Sequence, residues 1–160
     1  MTEVEVAKNC TPELVEAFNR LLPQLSMSAS SVDVEALQRV LSWNGNVVFV
    51  ARCDGQIVGA LTLVTFPIPS GPRSWIEDVV VDEAARGKGV GEALVERAIQ
   101  SARASGVRSV DLTSRPTRAA ANRLYQRLGF ELRESVLYRR SNLAEHHSRF
   151  LSQPETSDKM

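Results

Sequence analysis

The sequence predicts an α+β domain, and three observations predict it. Short runs that alternate polar and apolar residues share the chain with segments whose apolar positions recur at helical spacing. Two β-rich runs meet at Asp54-Gly55, a strong two-residue hairpin signal. The elements then follow one another in the order β-α-α-β-β-β-α-β-α-β.

Glu3 to Ala7 alternates and reads as a first strand. Thr11-Pro12 starts a helix in the order cap then proline, and Leu14, Val15, Phe18, Leu21 and Leu22 fall on one face of it. Pro23 is expected to end or kink that helix, Ser26 to Ser31 reads as a small polar linker, and a second helix is expected from Val32 to Trp43, stopped by Asn44-Gly45. Val47–Cys53 and Gln56–Phe66 form the hairpin strands. Pro67, Pro69, Gly71 and Pro72 predict a stiff loop before a third long strand, Trp75 to Asp82, whose Val79, Val80 and Val81 suit a buried position. Glu83 to Lys88 reads as a turn. A helix follows over Gly89–Ala104, with Leu94, Val95, Ala98, Ile99 and Ala102 as its apolar stripe and Gly106 at its end. Val107–Thr113 is expected as a strand, Thr117–Leu128 as a helix capped by Gly129, and Leu132–Arg139 as a last strand. Residues 1–142 then make one domain, and the polar stretch 143–160 reads as a flexible tail.

A chain of 160 residues that is 43% hydrophobic can build one packed core without cross-links or metal. Nineteen basic and nineteen acidic side chains cancel, so the overall charge gives no reason to expect a nucleic-acid or membrane partner. Locally, Arg103, Arg108, Arg115, Arg118, Arg123 and Arg127 face only Asp111, which allows an anion site, although solvated helix faces explain most of them. Cys10 and Cys53 are read as reduced thiols with no histidine at ligand spacing, so no metal is expected. With no leader-like start and no run of roughly twenty apolar residues, a cytoplasmic location is the expectation.

The chemistry concentrates in Val79-Val80-Val81-Asp82-Glu83-Ala84-Ala85-Arg86-Gly87-Lys88-Gly89-Val90-Gly91, a strand feeding a glycine-rich turn that opens a helix. The first N–H groups of a helix lack internal partners and carry partial positive charge, so such a turn is a ready anion site. Glycines at 87, 89 and 91 let a phosphate approach the backbone, and Arg86 and Lys88 add charge. The same pattern also serves as a tight connection with no ligand. No Gly-Lys-Ser/Thr ending makes it a Walker loop, and the third glycine comes one residue too early for the dinucleotide-binding fingerprint. A diphosphate-bearing ligand other than ATP or NAD is the inference.

Arg86-Gly87-Lys88-Gly89-Val90-Gly91 resembles the R/Q-x-x-G-x-G/A pyrophosphate signature of the GNAT acetyltransferases, and Leu124-Tyr125-Gln126-Arg127-Leu128-Gly129-Phe130 resembles the L/F-Y-x-x-x-G-F end of that family's last conserved helix. The resemblance spans roughly residues 3–141. It implies the GNAT acyl-CoA acyltransferase fold, a central mixed, mostly antiparallel sheet flanked by helices on both faces. It implies acetyl-CoA as cosubstrate, its diphosphate held by the amides of Arg86, Gly87, Lys88, Gly89, Val90 and Gly91. Main-chain groups of the Val79-Val80-Val81 strand, above all those of Val79 and Val81, would meet the pantetheine arm and the thioester. Tyr125 stands at the position of the general acid that protonates the leaving thiolate; read without the motif, it is core beside Leu124 and Leu128. The family often has an asparagine where Arg118 stands, which puts that contact in question; Asn122 lies nearby but out of register, and Arg118 could instead meet a CoA phosphate.

For the base, Glu77 and Asp78 are adjacent carboxylates on the strand that leads to the acyl site, and strict alternation lets only one face a given cleft. Glu77, two residues from Val79, is expected to share its face and act directly or through water. The run Ile76-Glu77-Asp78-Val79-Val80-Val81 is similar to that of glucosamine-6-phosphate N-acetyltransferases, which keeps Asp78 as a second candidate. The expected acceptor is a primary amine of a small molecule, with aminosugars slightly favoured; a protein N-terminus, or a catalytically silent acyl-CoA sensor or scaffold, is the alternative. Many relatives dimerise, which leaves a homodimer open.

Overall fold

In the computed structural model, which describes residues 1–141 and 143, five strands lie side by side in sequence order: β1 (Thr2–Val6), β2 (Asn46–Cys53), β3 (Gln56–Ile68), β4 (Gly71–Val81) and β5 (Val110–Asp111). The first three joins are antiparallel, and β5 runs parallel to β4. At the β2–β3 turn, Asp54 and Gly55 both adopt positive φ, 50° and 80°, the geometry whose twist matches the flanking strands.

Four helices cover the sheet: α1 (Pro12–Leu25), α2 (Val34–Ser42), α3 (Val90–Ala104) and α4 (Ala119–Arg127). The first two begin on side-chain caps, Thr11 Oγ1 accepting from Leu14 N at 3.2 Å and Asp33 Oδ1 from Ala36 N at 2.7 Å. Alternation along β2 sends Val48 and Val50 to one face and Phe49 and Ala51 to the other. On the first face Leu14, Phe18 and Leu21 of α1 and Leu37 of α2 close a core with Ile57, Ala60 and Val80. On the second, Leu94, Val95 and Ala98 of α3 and Tyr125 of α4 pack on Leu61, Leu63 and Ile76. Helices therefore flank the sheet on both faces, as expected.

Four elements differ from the sequence reading. Helix α1 does not end at Pro23 but runs on to Leu25, so the proline costs its own i→i−4 hydrogen bond within the last turn. The proline-rich loop is instead the tip of a long hairpin: Pro67 stands opposite Pro72, which confines the two missing N–H donors to one rung. Strand β5 is only two residues long, since its pairing stops at Trp75 opposite Asp111. The expected strand at 132–139 is not formed. The chain divides into two units, Met1–Phe130 and Glu131–Met160, and in the described part of the second, Leu132, Val136, Leu137 and Tyr138 are exposed. An alternating pattern makes a strand only when its N–H and C=O groups join a ladder, and these join none. Apart from Leu143, the expected tail lies outside the described residues.

Leu21 and Leu94 are both fully buried on opposite faces of the sheet. Leu21→Ala and Leu94→Ala should each lower the unfolding free energy by about 2–5 kcal/mol, and with the sheet between them the effects should add to within about 0.5 kcal/mol in urea titrations.

Candidate active site

The site begins with one extra residue in β4. Opposite β3, Thr62 pairs with Glu77 and Ala60 with Val80, so Asp78 and Val79 together stand against the single residue Leu61. This is a β-bulge, and its first residue, Asp78, takes φ 50°, a left-handed conformation that aspartate tolerates better than most side chains. The bulge reverses the alternation. Ile76 and Val80 are four residues apart yet pack in the cores on opposite faces.

Glu77 therefore does not share a face with Val79, contrary to the alternation argument. It lies opposite Thr62, whose neighbours Leu61 and Leu63 point into the α3 core, so Glu77 belongs to the α1–α2 face, whereas Val79 and Val81 pack toward α3. Glu77 and Asp78 are both accessible. Desolvation, and next the Asp78 carboxylate beside it, hold the Glu77 carboxyl above the ordinary glutamate range, with a smaller opposing contribution from the Trp75 side chain. Beyond Trp75, β4 has no strand partner on its β5 side, so the edge carrying Ile76–Val81 is open there.

That open edge runs into the glycine turn. After Val81 a 3-10 turn at Glu83–Ala85 is capped by Asp82, whose Oδ1 accepts from Ala84 N at 3.0 Å. The chain then passes through Gly87 and Gly89, at φ 75° and 78°, into α3. Those angles suit glycine, and added β-carbons there would project into open space rather than protein. Gly89 caps α3 with no side-chain hydrogen bond, which leaves the first amides of the helix available to an anion. Gly91 has a different reason: its β-carbon would meet Leu124 Cδ2 at 3.3 Å, so it lets α3 approach α4. Arg86 folds back, its Nε 3.4 Å from the Val81 carbonyl oxygen.

On the α3 face, Tyr125 is 8% exposed and makes an edge-on contact with Phe130, ring centres 5.8 Å apart. Burial raises its phenol above the ordinary range, and the positive charge of Arg118 opposes that. Asn122 is used within the chain, its Nδ2 donating to the Arg115 carbonyl at 3.1 Å, so the structure gives it a local role in shaping the turn after β5. Ser114 was not signalled by the sequence, where a lone serine after a strand is ordinary. It stands three residues beyond the last β4–β5 pair, and its Oγ is buried without a hydrogen-bond partner. A buried hydroxyl in that state carries an uncompensated desolvation cost. The open β4 edge and the bare α3 amides make a surface suited to a ligand with amides and phosphates, and they fit CoA.

Residues 12–130 match the Acetyltransferase (GNAT) family, and the chain belongs to it. Members of this family use acetyl-CoA. An uncharacterized N-acetyltransferase of Bacillus subtilis is 38% identical over 85 residues, covering 52% of this chain and 58% of that protein. A glucosamine 6-phosphate N-acetyltransferase of Trypanosoma brucei brucei is 37% identical over 90 residues, 54% of this chain and 59% of that protein. The chain thus spans less than two thirds of the length of these curated relatives. Among solved structures, an acetyltransferase from Agrobacterium tumefaciens superposes with a TM-score of 0.76 at 26% identity, covering 86% of this chain and 99% of that one. No described helix is long and apolar enough to cross a membrane.

Two measurements probe this surface. Gly89→Ala forces an L side chain to φ 78° and should cost about 1–2 kcal/mol of stability while weakening CoA binding by calorimetry. Ser114→Ala removes an unpartnered hydroxyl, so the free protein should melt at the same or a higher temperature than the parent.

Proposed function

We propose that this protein transfers the acetyl group of acetyl-CoA to a primary amine of a small molecule by direct attack in a ternary complex. The observation that carries the reading is the bulge at Asp78, which opens the β4 edge in line with the glycine turn and sets Glu77 and Tyr125 on opposite faces of the sheet.

The amides of Arg86 to Gly91 would hold the diphosphate, and the open edge of Val79-Val80-Val81 would align the pantetheine arm. A main-chain N–H on that edge would receive the negative charge that develops on the thioester oxygen, worth a few kcal/mol when preorganised. Glu77, on the α1–α2 face, takes the proton of the ammonium group directly or through one water, and Asp78 adds negative potential that favours a cationic acceptor. Tyr125 approaches from the α3 face and gives its proton to the departing thiolate; its raised pKa keeps that proton in place at neutral pH. Base and acid thus flank the thioester from two sides, as an incoming amine and an outgoing thiol require. Arg118 beside Tyr125 supplies charge for a CoA phosphate. The similarity to a glucosamine 6-phosphate N-acetyltransferase supports an aminosugar-like acceptor.

Release of CoA thiol with a panel of amines tests the reading; acetyl-CoA that binds without turnover on any amine would overturn it. Tyr125→Phe should lower kcat by about a hundredfold with little change in KM. Glu77 accepts a proton only when ionised, so kcat/KM should fall as pH drops through its raised pKa and be present above it. Glu77→Gln should remove that acidic limb and lower the rate by about a hundredfold.

A further inference from the structure

Arginine 115 has no part in the chemistry above, yet the structure gives it a defined place. It follows Ser114 on the turn after β5, and its carbonyl is clamped twice, by Asn122 Nδ2 at 3.1 Å and by Arg118 N at 3.0 Å. Its side chain lines an open recess of about 400 Å³ whose other wall is residues 23–28, the end of α1 and the start of the linker. That wall is held in shape. Ser26 N donates to the Leu22 carbonyl at 3.0 Å, Ser26 Oγ and Ser28 Oγ are 3.0 Å apart, and the far end of the linker is pinned at Val32 by two hydrogen bonds to the Asn19 side chain, 2.8 and 2.9 Å long.

The recess has one sign of charge. No carboxylate lines it, and no described carboxylate lies within ion-pair distance of Arg115. A guanidinium with no ion-pair partner among the described residues, and the one hydroxyl proton left free by the Ser26–Ser28 hydrogen bond, are donors matched to a phosphate or carboxylate. The recess also shares a face with the proposed base: α1 covers the side of the sheet on which Glu77 lies. A molecule spanning the two would place its ammonium near Glu77 and Asp78 and its anion near Arg115.

We propose that this recess is the anion subsite of the acceptor, and that Arg115 selects amines that carry a phosphate or carboxylate group. The proposal rests on the acetyltransferase reading and names its substrate class. The test compares matched acceptors, ethanolamine with O-phosphoethanolamine and D-glucosamine with D-glucosamine 6-phosphate, by thiol release at fixed ionic strength. The anionic member of at least one pair should have the higher kcat/KM by about tenfold or more. Arg115→Ala should bring that ratio toward one by raising KM for the anionic acceptor rather than lowering kcat, and Arg115→Lys should restore part of it. Equal use of both members by the parent protein, or an equal loss for both in Arg115→Ala, overturns the proposal. Binding decides the matter separately from turnover. With CoA saturating, inorganic phosphate should raise the melting temperature of the parent protein more than that of Arg115→Ala, against chloride at matched ionic strength. Equal shifts overturn the anion subsite even where turnover is found. If the shifts differ but no amine releases thiol, it is the acetyltransferase reading that fails and the anion site that stands.

Discussion

Most of the site follows from the left-handed residue in β4. An antiparallel ladder has room for one residue against one, and Asp78 with Val79 against Leu61 breaks that count. The strand must bend there, and its pairing with β5 ends at Trp75, three residues before Asp78. What remains is an edge of unpaired main-chain groups inside a sheet, an arrangement that would be a liability on an outer strand. Here it faces a gap between two parallel strands, where a ligand of extended shape with amides of its own could pair with it. A left-handed aspartate is a strained choice at this position, and strain of this kind persists where surrounding structure enforces it. On one side Ile76 and on the other Val80, each anchored in a different core, hold the kink in place.

The second constraint is electrostatic. The turn after β4 leaves the first amides of α3 without a side-chain cap, and Arg86 and Lys88 are the cations of that turn. A helix start that is uncapped and flanked by cations attracts anions, because the partial charge on the helix end is positive. Glu92 in the first turn is drawn off by Arg127 of α4, at 3.3 Å, which also ties the two helices that border the site. Gly91 allows the same approach sterically.

The hairpin at Asp54-Gly55, the Thr11 start of α1 and the glycine turn were legible in the sequence because each depends on a local preference, whereas the Asp33 cap of α2 was passed over when that helix was read from Val32. The two-faced packing was expected from the family resemblance and agrees with β2 and β3 being apolar on both sides. What escaped depended on distant partners. Alternation assigned Glu77 to the face of Val79, and the rule failed because a bulge inserts a residue without leaving a glycine to announce it. Pro23 does not end the helix, since the loss of one N–H donor still lets the last turn run on for two residues. The pattern at 132–139 was read as a strand from side chains alone, although a strand is a property of paired backbones. Ser114 carried no signal, and Arg115 only that of a basic run, as its place depends on where β5 stops.

The reversal of faces at the bulge also separates two tasks that a regular strand would have merged. With unbroken alternation Glu77 and Val79 would point the same way, and the proposed base, acyl group and leaving thiol would crowd one side of the sheet. As folded, the α3 face carries Tyr125 and the packing of Val79 and Val81, while the α1–α2 face carries Glu77 and the recess between the linker and Arg115. On the proposed reading, changes in the linker or at Arg115 would alter what is admitted on one face without disturbing the turn and tyrosine on the other. Group transfer demands fixed geometry and acceptor choice demands variation, and the sheet itself is the partition between them.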